Sequence, residues 1–464
     1  MSKRDDNVDL DVGMYAAREK IHPREVDGTF QRLRHLAVVV LLGIYYGLPW
    51  ITWDGRQAVL FDLPARQFHI FALTFWPQDF VYLALLLIIA ALSLFFFTAL
   101  AGRMWCGYAC PQTVWTEAFM WMERWTEGKR QQRLKLDKAP WDANKLLRRG
   151  SKHVLWVVFA LFTGFTFVGY FTPIRELSVS VATFGLGPWE TFWLLFYAFA
   201  TWGNAGFLRE QVCIYMCPYA RFQSAMFDPN SLIISYDEKR GEPRGGRSRN
   251  VDHRAQGLGD CIDCNLCVQA CPTGIDIRKG LQYECIACAA CIDACNGVMD
   301  KMNYPRGLIR YTTENSMEGK PSRILRPRIV IYGVLLLTLM AGTAYSLTQR
   351  TPLAMEVLAD RNVLYRDVDF ETVENVYTVR ILNKDHEARD YVLSVDGLPD
   401  AEVVTRPEHI RAGAGRTSQV TASVRVPRHE ARGTGHTIEF RLTATDDAGI
   451  ERTNTARFHG PREE

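Results

Sequence analysis

The 464-residue sequence has almost no net charge, because 54 Lys and Arg stand against 51 Asp and Glu and leave only +3. So weak a field does not hold a nucleic-acid backbone, and no nucleic acid is expected as a partner. Histidine is missing where a spanning b-type haem would need it: His35 and His153 open apolar runs, and none of the ten histidines lies at mid-run. Haem held between facing helices is therefore not expected. Nor is a secretory leader, since the first apolar run begins only at Leu36 and no small-residue cleavage pattern follows it. Cysteine is absent from residues 351–464, although the chain has twelve.

What is present falls into two populations. The mean hydropathy of -0.09 averages very polar loops with apolar runs of membrane length. The runs are residues 36–53, 80–101, 153–172, 189–207 and 329–347. Each is nearly free of charge and long enough to cross roughly 30 Å of hydrocarbon at about 1.5 Å per residue. The third and fourth are rich in Phe and Trp and interrupted by Gly, and their basic flanks distinguish them from buried soluble helices. Five transmembrane helices are expected. Eleven Lys and Arg crowd residues 103–152, whereas the loop after the first run has only Arg56 and Arg66 and that after the third only Arg175. This asymmetry puts the N-terminus, residues 103–152 and residues 208–328 in the cytoplasm, and the C-terminus in the periplasm. The cysteines agree, since all twelve fall on the reducing side.

Eight of them form a doubled motif. Cys261, Cys264, Cys267 and Cys271, the last followed by Pro272, and then Cys285, Cys288, Cys291 and Cys295 both read C-x2-C-x2-C-x3-C. Bacterial-type ferredoxins hold two [4Fe-4S] clusters at this spacing, the fourth cysteine of each run ligating the other run's cluster. One set is thus Cys261, Cys264, Cys267 and Cys295, and the other Cys285, Cys288, Cys291 and Cys271. Asn296 stands where the second run would have its proline. Zinc sites use four-ligand groups from separated pairs, and disulfides leave the repetition unexplained.

The other four cysteines also repeat. Cys106-Gly107-Tyr108-Ala109-Cys110-Pro111 follows the second run and Cys213-Ile214-Tyr215-Met216-Cys217-Pro218 the fourth, so C-x-Y-x-C-P occurs twice at one membrane depth. On a helix the paired sulfurs would share a face. The two pairs could form one four-thiolate site for Cu(I), zinc or an iron-sulfur centre. Met104 and Met216 stand nearby as thioether ligands or as packing.

The remaining stretches define the domains. Residues 1–35 are a polar, basic cytoplasmic segment, residues 36–218 the first four helices with both C-x3-C-P motifs, and residues 219–258 a linker. Within the linker the basic, Gly-rich stretch 238–254 suggests a flexible, solvated connection, free to meet lipid headgroups or an acidic electron donor. The two-cluster ferredoxin-like domain occupies 259–312, and 313–348 hold a linker and the fifth helix. From 349 the pattern changes to period two, with Val373, Asn375, Tyr377, Val379 and Ile381, then Val420, Ala422, Val424 and Val426, then Ile438, Phe440, Leu442 and Ala444. About 110 residues of alternating strands suggest one all-β, immunoglobulin-like sandwich, either a partner-docking module or a cap. The expected protein is therefore multi-domain: a five-helix transmembrane bundle, a cytoplasmic two-cluster domain and a periplasmic sandwich.

The chain resembles the CcoG/FixG family of cytochrome c oxidase accessory proteins. The resemblance rests on residues 49–79, including Gly55-Arg56-Gln57-Ala58-Val59-Leu60-Phe61-Asp62 and Phe75-Trp76-Pro77-Gln78-Asp79. It rests also on both C-x3-C-P motifs, the doubled cysteine run and the Tyr304-Pro305-Arg306-Gly307-Leu308-Ile309-Arg310-Tyr311 segment. It implies a multi-pass bacterial inner-membrane protein that serves maturation of a cbb-type oxidase as a cupric reductase. Cys106, Cys110, Cys213 and Cys217 would then be the copper-handling or electron-relay thiols beside two [4Fe-4S] clusters. Its partners would be membrane lipid, a cytoplasmic electron donor, copper ions, and an oxidase assembly factor or copper transporter. A monomer and a homo-oligomer both stay open. The competing readings are a quinol-linked relay, as in related quinol dehydrogenase subunits, and a redox-sensing assembly scaffold.

Overall fold

The computed structural model describes residues 20–461, apart from 250, 251, 253, 361, 362, 386, 432, 434 and 448. The chain divides into two compact units at Met340/Ala341. Among the described residues four helices are long and apolar enough to cross a membrane: Thr29–Trp50, Pro77–Ala101, Ala143–Val168 and Pro327–Thr348.

In the first unit, α1 (Thr29–Gly47) begins before the apolar run because an acid from elsewhere caps it. The Gln31 amide donates to Asp293 at 2.8 Å, a carboxylate at the positive end of a helix. α2 (Phe80–Ala101) is apolar all round, with Phe80, Leu83, Leu86 and Leu87 each more than half exposed. It ends at Gly102, whose φ of +56° suits glycine and where a Cβ would lie 2.3 Å from the Leu232 carbonyl oxygen. The chain turns there into α3 (Met104–Tyr108), α4 (Pro111–Glu127) and α5 (Arg130–Lys138).

α6 (Ala143–Val168) starts well before the run at 153, with Asp142 capping it through the Lys145 amide at 2.7 Å. Lys145, Arg148, Arg149 and Lys152 therefore lie on a helix rather than in a loop, as their straight side chains allow. α7 (Ile174–Ala182) leads to α8 (Pro188–Thr201), which crosses α6 at Gly164, where a Cβ would meet the Leu194 carbonyl oxygen at 2.4 Å. The run expected as one span over 189–207 is not a single α-helix. It widens into a π-helical stretch, Trp202–Leu208, where Gly203 and Gly206 weaken the ordinary ladder. A second π stretch, Val212–Met216, precedes α9 (Pro218–Met226).

Short antiparallel strands follow α1: β1 (Thr52–Trp53) with β2 (Arg56–Gln57), and β3 (Val59–Asp62), β4 (Gln67–Ile70) and β5 (Leu73–Phe75) in sequence. Buried Gln57 fastens them to the end of α6, donating to the Val59 and Gly169 carbonyls and accepting from the Ile174 amide.

The cysteine-rich region is framed by β6 (Ile233–Tyr236) paired antiparallel with β7 (Ile309–Thr312). α10 (Glu238–Gly241), α11 (Leu266–Ala270) and α12 (Ala290–Met302) lie between them, and α13 (Glu314–Met317) follows. The expectation of a flexible linker is corrected here. Arg240 pairs with Asp260 at 2.5 Å and donates to the Pro305 and Arg306 carbonyls. Arg247 donates to the carbonyls of Gly259 and Cys261 and to the Tyr304 hydroxyl. The Arg240 and Arg247 guanidiniums, which look solvated in the sequence, instead bind backbone oxygens, and this cannot be read from charge alone.

The chain continues through α14 (Pro327–Thr348) into the second unit. One sheet there has the order β12-β14-β10-β8, with β9 paired to β10, and the other β13-β11-β15-β16. The strands are β8 (Leu353–Ala359), β9 (Arg366–Asp367), β10 (Thr372–Asn383), β11 (Arg389–Asp396), β12 (Glu402–Arg406), β13 (Ile410–Ala412), β14 (Thr417–Pro427), β15 (His436–Ala444) and β16 (Glu451–Phe458). The period-two residues of β10, β14 and β15 all face the core as expected. Asn375, polar among them, exchanges two hydrogen bonds with the His459 backbone.

Buried charge holds α4 in place. Glu123 accepts from Arg133 of α5 at 3.3 Å and from Arg209 at 2.9 Å, while Glu117 pairs with Arg34 of α1 at 2.9 Å and Glu127 with Lys152 of α6 at 2.6 Å. Glu123→Ala would leave two buried guanidiniums without an acid, a loss of about 3–5 kcal/mol. Denaturant unfolding in detergent is expected to register it, and a change under about 1 kcal/mol would mean that the pairs are peripheral to stability.

Candidate metal centres

The two cysteine runs fold alike. In the first, Asp263 and Asn265 flank Cys264 with φ of +51° and +56°, and in the second Ala287 and Ala289 flank Cys288 with +52° and +61°. Alternating left- and right-handed residues turn successive N–H groups toward one side, a concavity suited to anionic sulfur. Asp and Asn enter this region readily and alanine does not, so the second loop is strained and its surroundings must hold it. The runs diverge after their fourth cysteine. Pro272 stops α11, whereas α12 runs on past Cys295, and the Asn296 side chain accepts from the Gly307 amide at 3.0 Å.

The eight thiols sort into two cavities. One is lined by Cys261, Cys264, Cys267 and Cys295 together with Tyr236, Arg278 and Ile309. The other is lined by Cys271, Cys285, Cys288 and Cys291, and Cys267 borders both. That shared residue aside, each cavity takes three sulfurs from one run and the fourth from the other. Among the described residues no three His, Cys, Asp or Glu converge on a single-ion position. Thiol donors, an apolar lining and inward N–H groups fit an iron-sulfur cluster in each cavity. Burial pushes the Cys285 and Cys295 thiols up to about 12 and Cys267 up to about 11.

The C-x3-C-P segments are not continuous helices, so the condition under which each pair would share a helix face is not met. Cys106 is in α3, but Cys110 is extended (φ -60°, ψ 129°) and caps α4; Cys213 is in a π turn, but Cys217 is extended (φ -81°, ψ 111°) and caps α9. The following proline imposes this, because it drives its predecessor out of the helical region while suiting a first helical position itself. The two motifs nevertheless lie close enough for their thiols to act on one another electrostatically. Burial, with charge on Cys110, Cys213 and Cys217 acting in the same direction, pushes the Cys106 thiol up to about 12. Met216 is largely exposed.

Residues beyond the cysteines join the motifs to the second run. A Cβ at Gly107 would lie 2.8–2.9 Å from the carbonyl oxygens of Ile286 and Ala287 and the Cα of Cys288, so main chain packs on main chain. Cys106 packs with Ile286 and Cys288. Tyr108 is 3.4 Å from the Tyr311 hydroxyl, which donates to the Ala287 carbonyl at 2.6 Å. Arg103 donates to the carbonyls of Tyr283, Cys285 and Ala220. Sequence reasoning missed these ties, although Tyr311 closes the Tyr304–Tyr311 segment and Gly107 sits inside the motif.

Family models describe the same regions. A 4Fe-4S dicluster domain matches residues 208–314, a 4Fe-4S binding domain residues 83–131, and the Ig-like fold at the C-terminus of FixG residues 343–461. The nitrogen fixation protein FixG of Rhizobium meliloti is 40% identical over 425 residues, covering 84% of this chain and 81% of its own. Protein RdxB of Cereibacter sphaeroides is 43% identical over 401 residues (83% and 84%), and Protein RdxA of that organism 38% over 473 residues (97% and 99%). Fold and site thus define a membrane-associated iron-sulfur electron-transfer protein with an Ig-like domain. Within that class, the chain belongs to the family of FixG, RdxA and RdxB.

Gly107→Val is expected to push α3 off the second loop and lower bound iron from about eight toward four per chain. Iron and sulfide assays on anaerobically purified protein read this directly, and retention of about eight would show that the loop holds without the contact.

Proposed function

We propose that this protein is a one-electron cupric reductase of the bacterial cytoplasmic membrane, serving assembly of a cbb-type cytochrome c oxidase. The reading is carried by the Gly107 contact, which sets Cys106 of the four-thiol group against the loop bearing Cys285 and Cys288. Cys261, Cys264, Cys267 and Cys295 hold one [4Fe-4S] cluster and Cys271, Cys285, Cys288 and Cys291 the other, and the clusters supply one-electron chemistry when bound. Cys264, the one exposed thiol of the eight, marks the side where a cytoplasmic donor docks. Cys106, Cys110, Cys213 and Cys217 receive the substrate Cu(II), which needs one electron, and soft thiolates favour its product Cu(I). No single-ion geometry is preformed among the described residues, so these thiols turn to take the ion.

In this reading the chain crosses the membrane five times, the fourth as α8 with its π extension. The basic crowd in residues 103–152 and the lack of cysteine after 295 support cytoplasmic clusters and a periplasmic sandwich. The sandwich docks an assembly factor or copper transporter. A second reading has its own support, since the 4Fe-4S binding model over 83–131 covers Cys106 and Cys110 and no other cysteine. The four C-x3-C-P thiols would then hold a third iron-sulfur centre.

Anaerobically purified protein is expected to carry about eight iron and eight sulfide. Once reduced, it should convert stoichiometric Cu(II) to chelatable Cu(I) with matching change in visible absorbance. Replacing Cys110 and Cys217 together by Ser should abolish the copper reaction and leave the iron. An unchanged copper rate in that variant would sink the reading, and about twelve iron falling to about eight would establish the second one.

A further inference from the structure

Most buried cations in the first unit have acids beside them: Arg34 has Glu117, Arg133 and Arg209 share Glu123, and Lys152 has Glu127. Lys145 instead donates to the Asp137 and Ala139 carbonyls over the Trp141 ring, far from any cysteine in sequence. Arg103, too, lacks an acid, but it stands beside the thiols. It is 4% exposed, has no carboxylate partner among the described residues, donates only to backbone carbonyls, and leaves its Nε buried without an acceptor. A guanidinium so placed is costly unless negative charge arrives from another source. Its charge reaches Cys106, Cys213 and Cys285. Gln223 is fully buried beside Cys106, with Oε1 3.5 Å from its Sγ and Nε2 without a hydrogen-bond acceptor. Arg103 precedes the first motif and Gln223 follows the second, and each keeps one buried N–H group without an acceptor, the Arg103 Nε and the Gln223 Nε2.

We propose that Arg103 and Gln223 are positioning residues for a negatively charged metal-thiolate centre at Cys106, Cys110, Cys213 and Cys217, Arg103 supplying the counter-charge and Gln223 a hydrogen bond to sulfur. The inference rests on the reading of those thiols as a metal site but not on which metal it is. Four thiolates around Cu(I), or around a [4Fe-4S] core, leave the centre net negative, so the same partners serve both. Arg103 also ties the site to the second cysteine run through the Tyr283 and Cys285 carbonyls.

The test uses full-length protein purified anaerobically, with Cu(I) competed against a chromogenic chelator and iron counted in parallel. Arg103→Met and Gln223→Leu are each expected to weaken Cu(I) retention about 10–100-fold, as loss of a group that orients metal ligands does. Arg103→Lys should recover most of the loss, since it restores charge but not the planar fork that spans three carbonyls. A purely structural Arg103 gives the opposite pattern, Lys failing as badly as Met and thermal stability falling with it, and that overturns the inference. So does unchanged retention in Gln223→Leu and Arg103→Met when the parent binds copper through Cys110 and Cys217. If the parent holds neither copper nor iron beyond about eight atoms, the metal-site reading itself fails and takes this inference with it. If the parent holds about twelve iron, the same variants should lose about four.

Discussion

A hydrogen atom in place of a side chain at position 107 lets the turn between α2 and α4 touch the main chain that carries Cys285 and Cys288. Much of the first unit is arranged so that this touch is possible. Gly102 turns the chain at the end of α2, and Asp293 of α12 caps α1 while Tyr311 of β7 packs edge-on against Phe30. The cysteine-rich region is thereby docked on helix termini. The second loop, with Ala287 and Ala289 in left-handed conformations that alanine avoids, is the part most in need of such support.

The two C-x3-C-P segments reach one arrangement by different local means. Four residues before its first cysteine each repeat breaks its helix at a positive φ, at Gly102 (+56°) and at Arg209 (+42°). Glycine takes that conformation without strain, whereas arginine does not. Arg209 is held there by Glu123 at 2.9 Å and by its own Nε donating to the Gly206 carbonyl at 2.9 Å. Burial pushes the Glu123 carboxyl up, but Arg209, Arg133 and Lys152 outweigh it and hold the carboxyl down at about 2. The ion pair thus restrains the backbone at a position where the sequence has no glycine.

Spacing made the cysteine runs legible, because three sulfurs on one short loop leave few alternatives, and strict alternation did the same for β10, β14 and β15. Periodicity could not find α1 or α6 at their true starts, since Asp293 caps the one from more than two hundred residues away and the other opens on charged residues. Charge misled at 238–254, where Arg240 and Arg247 look solvated in sequence yet bind carbonyl oxygens in the fold. The proline after Cys110 and Cys217 was visible, but its consequence, an extended cysteine that ends one helix and caps the next, needs the constraint on the residue before proline. Arg103 resembles any basic loop residue until its burial and lack of an acid are seen.

The charges around the two cavities differ in a way that bears on direction. Arg278 beside the first is matched by Asp263 at 2.6 Å and Asp276 at 2.8 Å, so its field is largely cancelled. Near the second, Arg34 is matched by Glu117, but Arg103 at the Cys285 carbonyl is matched by no carboxylate among the described residues. An added electron is added negative charge, and in a poorly solvated interior it is stabilised where positive charge is uncompensated. The first cavity has the exposed thiol, Cys264, beside buried Cys261, Cys267 and Cys295, and in the second buried Cys288 packs with Cys106. Charge therefore favours an added electron at the second cavity, beside the four thiols, while Cys264 gives the first its one exposed thiol.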